Sequence, residues 1–130
     1  MEAFIKEEKV ETPAILFDKE AGKFEIVGKS FPEETKDFYE PVLTWLEEYA
    51  EQANPKTDFH FKLDYYNSST STMILEMLYI LERIKKGGKE VKIHWYYQDI
   101  DEDMMEAGEE FAEMIDVPFE FIPVVQKDEA

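Results

Sequence analysis

Two stretches of the chain alternate apolar and polar residues with a period of two. In Asp58–Tyr66, Phe59, Phe61, Leu63 and Tyr65 fall on one side, and His60, Lys62, Asp64 and Tyr66 fall on the other. Val91–Tyr97 repeats the pattern, with Val91, Ile93, Trp95 and Tyr97 opposed to Lys92, His94 and Tyr96. Successive side chains of a strand point to opposite faces, so both stretches read as strands that are apolar on one side only. A sheet covered by helices on both faces needs strands that are apolar throughout. The pattern therefore predicts helices packed mainly on one face and a largely open polar face opposite. Ala14–Phe17 and Lys23–Val27 read as two shorter strands. The residues between them, 18–22, form a hairpin loop in which Gly22 is free to take positive φ. Phe119, Phe121 and Val124 predict a last strand, which Pro123 places at a sheet edge.

Between the strands the period changes to that of a helix. Phe38, Val42, Trp45, Leu46 and Tyr49 recur at helical intervals. Ser30-Phe31-Pro32-Glu33 ahead of them has capping-box spacing, and Pro41 predicts a kink or a division into a short and a long piece. Ile74, Met77, Leu78, Leu81 and Ile84 form one stripe of a second helix, from Met73 to about Ile84. Lys85-Lys86-Gly87-Gly88 ends it, with cations at the negative pole of the dipole and glycine to break out. A third helix spans about 101–115, with Asp101, Glu102 and Asp103 in its first turn, where the dipole favours anions. The order is a β-hairpin followed by α, β, α, β, α, β. Short βαβ crossovers make the later strands parallel. This predicts one α/β domain over residues 1–130, with a mixed sheet and with Trp45 and Trp95 in its core.

Composition narrows the function classes. The 130 residues are 44% apolar, with ten Phe, seven Tyr and two Trp, which is enough for a real core. The net charge of −17 repels nucleic acid and anionic membrane and draws in basic protein surfaces. The absence of cysteine excludes disulfides, thiolate catalysis and zinc–sulfur sites. No apolar run is long enough to span a membrane, and the charged N-terminus does not read as a signal peptide, so a cytoplasmic protein is expected.

The richest chemistry lies where the first long strand runs into the second helix, at Asn67-Ser68-Ser69-Thr70-Ser71-Thr72. One reading is capping: Asn67 or Ser68 caps the helix and the other hydroxyls fill its first turn. A second, compatible reading is reversible phosphorylation, because a helix N-terminus stabilises added negative charge. The acidic run 99–110 reads as a solvated, dipole-matched helix start, since it has neither the glycine nor the spacing of a calcium loop. His60 and His94 occupy equivalent polar-face positions of two strands and, with no third ligand or nucleophile, read as surface histidines. Tyr66 and Tyr96 on that face are candidate partner contacts. No nucleophile elbow, phosphate-binding loop or kinase loop is present, so no enzyme and no cofactor is expected.

Tyr65-Tyr66-Asn67-Ser68-Ser69-Thr70-Ser71, the Leu/Met-rich helix after it, Gly87-Gly88, Val91-Lys92-Ile93-His94-Trp95-Tyr96-Tyr97 and the segment from Asp101 to Phe111 together resemble the SiaC family of bacterial regulatory phosphoproteins. That family is similar in fold to STAS domains, the anti-sigma factor antagonists. The resemblance implies a partner switch. A cognate kinase phosphorylates the first hydroxyl after the junction Asn, here Ser68, with Ser69 and Thr70 as competitors. A phosphatase reverses this, and the unphosphorylated form binds a target such as a diguanylate cyclase in biofilm control. The expected docking surface is Asn67, Ser68, Ser69, Thr70 and Met73, rimmed by Asp101 and Asp103. The alternative is a constitutive interaction module that uses the open polar sheet face without modification.

Overall fold

The structure, a computed structural model, describes residues 1–125. Its elements are β1 (Phe4–Lys6), β2 (Ala14–Asp18), β3 (Lys23–Ser30), α1 (Thr35–Glu51), β4 (Lys56–Tyr66), α2 (Ser68–Lys86), β5 (Glu90–Gln98), α3 (Glu102–Met114) and β6 (Phe119–Val124). The strands form one sheet in sequential order from β1 to β6. β1, β2 and β3 pair antiparallel, while β3, β4, β5 and β6 pair parallel. Sequential parallel strands joined by right-handed crossovers put every helix on the same face. The alternation therefore described the architecture correctly. Phe59, Phe61, Leu63, Val91, Ile93 and Trp95 are buried under the helices with Ile15, Phe17, Phe24 and Ile26. Trp45 and Trp95 are both core, and Pro123 sits on the edge strand as expected.

Four expectations are corrected. A short edge strand, β1, precedes the hairpin; its three residues, Phe4, an exposed Ile5 and Lys6, are too few to alternate legibly. Ser30 does not open a capping box. It is the buried last residue of β3, paired with Tyr66, and α1 begins at Thr35 with Glu34 at its N-cap and no side-chain cap bond. Pro41 does not divide α1, which runs unbroken for 17 residues; packing of Tyr39, Val42, Trp45, Leu46 and Tyr49 against the sheet outweighs the one ladder bond that proline removes. α2 starts at Ser68, not Met73, in line with the reading in which Asn67 caps the helix and the hydroxyls fill its first turn.

A register shift changes the faces at the end of β4. Gly28 pairs with Leu63 but Lys29 pairs with Tyr65, leaving Asp64 as an extra residue opposite the Gly28/Lys29 step. One inserted residue reverses the facing of every side chain beyond it. Tyr65, expected inside, is 51% exposed, and Tyr66, expected on the open face, turns to the helix side and meets Trp95 edge-on. Gly28 accommodates this with φ 118°, and the Glu8 carboxylate lies where a Cβ would be.

Candidate functional site

The bulge delivers the end of β4 to the start of α2 in a defined way. Asn67, at φ −88° and ψ 174°, is the N-cap, and its side-chain oxygen accepts from the Thr70 backbone N–H at 2.9 Å. Ser68, Ser69 and Thr70 are thus the first three helical residues. The first turn of α2 carries no acidic residue, in a chain where that of α3 carries Glu102 and Asp103. The N–H groups of Ser68 and Ser69 have no preceding turn to bond to, so the positive pole of the helix faces these two side chains without a counter-charge.

The three hydroxyl residues are not equivalent. Ser68 and Ser69 are exposed, whereas Thr70 is fully buried. The Thr70 hydroxyl lies 2.8 Å from the Ser30 hydroxyl and donates to the Ser30 carbonyl at 3.3 Å. Ser30 in turn lies 2.6 Å from the Tyr39 hydroxyl of α1, and the Asn67 N–H donates to the Ser30 carbonyl at 3.0 Å. Burial pushes the Tyr39 phenol up to about 12, against the opposing pull of its Ser30 and Thr70 hydrogen bonds. It therefore stays protonated and able to donate. This buried hydroxyl chain ties β3, α1 and α2 together beneath the junction. It removes Thr70 from the accessible acceptors, which corrects the expectation that it competes with Ser68. The sequence offers Ser30 only as a helix cap and gives no sign of Tyr39, because the contacts that join them to Thr70 come from chain segments far apart.

Two depressions adjoin the junction's elements. One, of about 380 Å³, lies between the end of β4 and the start of α3 and is lined by Asp64, Tyr65, Tyr66, Asp101, Asp103 and Met104, with Ala107. The expected acidic rim is therefore adjacent to the β4–α2 turn in space. Asp101 also caps α3, accepting from the Met104 N–H at 3.0 Å. Burial, and secondarily the Glu110 carboxylate, pushes the Tyr66 phenol up to about 12. The other, of about 280 Å³, lies between α1 and α2, with Leu43 and Met73 at its base and Lys36, Glu40, Glu47 and Glu76 around it. Met73 is only 7% exposed, so it forms the floor of this depression rather than a protruding side chain.

On the open sheet face, His60 and His94 are register partners whose rings stack with centroids 4.3 Å apart. Most of the polar side chains there are already engaged: His60 Nδ1 with the Tyr96 hydroxyl at 2.9 Å, His94 Nε2 with Asp58 at 2.8 Å, Lys62 with Glu25 at 2.9 Å and Lys92 with Glu120 at 3.1 Å, whereas Gln98 Oε1 is buried without a partner. Among the described residues, no group of three His, Asp or Glu side chains is arranged to hold a metal ion. Burial first, and then the neighbouring His94 and Lys62, lower the His60 pKa below 6.5. The folded protein thus binds fewer protons at His60 than the unfolded chain does. The His60 contribution to stability is intact above pH 6.5 and is lost as pH falls through the lowered folded value. Removing one source of that depression with His94→Gln is expected to move the His60 titration midpoint upward in an NMR pH titration; an unmoved midpoint would refute coupling of the two rings.

Comparison with known proteins places this geometry. The family model described as SiaC family regulatory phosphoprotein matches residues 5–124. An uncharacterized protein of Pseudomonas aeruginosa strain UCBPP-PA14 is 32% identical over 108 residues, 83% of this chain and 86% of that protein. The crystal structure of apo-SiaC from Pseudomonas aeruginosa superposes with a TM-score of 0.84 at 28% identity, covering 94% of this chain and 99% of that one. SiaC in the crystal structure of diguanylate cyclase SiaD in complex with its activator SiaC, from the same organism, gives 0.86 at 28% identity, with 93% and 99% covered. Among the described residues, no helix is long and apolar enough to cross a membrane. With the Asn67-capped, hydroxyl-rich junction, the six-stranded mixed sheet and a family match that spans nearly all of its length, the chain belongs to the SiaC family of regulatory phosphoproteins.

Proposed function

We infer that this protein is a non-enzymatic partner switch whose state is set by phosphorylation of Ser68, with Ser69 the remaining competitor. The observation that carries the reading is the division of the junction hydroxyls: Ser68 and Ser69 face solvent on an anion-favouring helix end, while Thr70 is sealed beneath them. A phosphate there adds nearly two negative charges beside free backbone N–H groups, so the fold tolerates it without rearrangement. The same charge enters a surface that already holds Asp64, Asp101 and Asp103, so it changes what docks rather than how the chain folds. The unmodified form binds a downstream target. A diguanylate cyclase is the fitting class, since a relative of the same fold is the activator of one. A cognate kinase and phosphatase act on the junction, and the protein works in the cytoplasm.

Incubation with the cognate kinase and ATP, followed by intact-protein mass spectrometry, is expected to add one phosphate to the wild type and none to Ser68→Ala. Thr70→Ala is expected to remain a substrate. Full phosphate uptake by Ser68→Ala moves the assignment to Ser69; uptake lost only in Thr70→Ala would overturn the division of hydroxyls.

A further inference from the structure

We propose that α1 carries a second docking surface, separate from the junction: an apolar trough against β1 that takes a partner segment presenting an apolar side chain flanked by lysine or arginine. The trough, about 620 Å³, has Phe4, Pro41 and Trp45 along its floor and Asp37, Glu40 and Glu48 on its rim. Its walls are fixed. The Trp45 indole N–H donates to the Glu2 carbonyl at 2.8 Å, and Phe4 stacks on Phe17 at 6.1 Å, so the β1 arm is held in place with the trough open.

The rim chooses the occupant. Among the described residues, no ion pair engages Asp37, Glu40 or Glu48, although Glu47 on the same helix is taken by Arg83. The nearby cation Lys6 lies over the Phe4 and Phe38 rings. An occupant that is apolar throughout would desolvate these carboxylates without pairing them, which is costly. A second copy of this chain would bring a net charge of −17 against the same sign. A segment with an apolar anchor and flanking cations fills the floor and pairs the rim at once. Pro41 adds a directional group: lacking an N–H, it leaves the Asp37 carbonyl without its usual helical donor four residues on.

The trough is built from β1 and α1 and the junction from β4 and α2, although Glu40 and Thr44 of the trough also border the depression that Met73 lines. The test uses the full ¹⁵N-labelled chain in about 0.15 M salt and two short helical probe peptides of equal charge, one of Leu and Lys and one of Ser and Lys. The Leu/Lys peptide is expected to shift the amides of Phe4 and of residues 37–48 saturably and to bind at least about tenfold tighter than the Ser/Lys peptide. Glu40→Lys/Glu48→Lys and, separately, the trough-filling Thr44→Phe are each expected to weaken it by about tenfold or more. All three positions are exposed, so the fold is retained. Equal affinity for the two peptides, shifts centred on the acidic face of α3, absence of binding, or indifference to both variants would each overturn the proposal.

Discussion

Replacing Ser68 with Asp is expected to weaken capture of the downstream target by about 30- to 1000-fold, or roughly 2–4 kcal/mol. Two opposing effects of the same charge produce this. At the first helical residue of α2 a carboxylate meets free N–H groups and an uncompensated positive helix pole, worth about 0.3–1 kcal/mol of added fold stability. In a complex that covers the junction it is a charge taken out of water, on a chain of net charge −17, with no cation supplied for it. Thermal stability should therefore hold or rise while affinity collapses, which distinguishes a switch from simple unfolding. Ser68→Ala removes neither shape nor neutrality and should bind within about threefold of wild type. Calorimetric titration of target captured by the wild-type protein measures both. Unchanged binding by Ser68→Asp together with loss in Tyr96→Ala would transfer docking to the open sheet face. The internal pairing of that face, His60 to Tyr96 and Lys62 to Glu25, argues against such a role.

The largest expected loss of stability comes from a single methyl group. Gly→Ala inside a helix ordinarily stabilises by up to about 1 kcal/mol, yet Gly108→Ala is expected to cost roughly 2–3 kcal/mol. A Cβ at Gly108 would stand 2.5 Å from Trp95 Cδ1 and 2.6 Å from its Nε1. The ring cannot give way. It is 1% exposed, packed by Phe61, Phe111 and Tyr66, and pinned by its N–H to the Met104 carbonyl at 2.9 Å. α3 must lift off the sheet instead. For a chain of this size the midpoint of thermal unfolding should fall by roughly 5–15 °C. Because Trp95 holds the first turns of α3, the lift also displaces Asp101, Asp103 and Met104 from the cavity beside the junction. A double-mutant cycle with Trp95→Phe, whose smaller ring frees space, should recover part of the loss. A midpoint that stays level or rises in Gly108→Ala would show that the helix does not rest on the indole as described.

Where the sequence reading succeeded, the signal was local. The strand cores of β4 and β5, the Gly22 turn, the Asn67 cap, the glycine stop of α2 and the edge position of Pro123 each follow from a few adjacent residues. Where it failed, a partner distant in sequence had intervened. Ser30 looked like a cap because Pro32 and Glu33 follow it, but pairing of β3 with β4 extends as far as Tyr66 and takes Ser30 into the sheet. Tyr65 and Tyr66 exchanged faces because of a register step that depends on Gly28, more than thirty positions earlier. No periodicity confined to β4 reports that step.

The sequence by itself determined the alternation of strands and helices, the one-sided sheet and the placing of a hydroxyl-rich helix start after a strand, because periods of 2 and 3.6 are properties of neighbouring residues. Only the tertiary structure decided which of those hydroxyls a visiting protein can reach. Ser68, Ser69 and Thr70 are chemically near-equal as letters; it is the arrival of Ser30, forty residues upstream, and of Tyr39 beneath the helix end that seals one and leaves two in water. Burial is a sum over everything that packs against a side chain, and most of what packs against these three lies elsewhere in the chain.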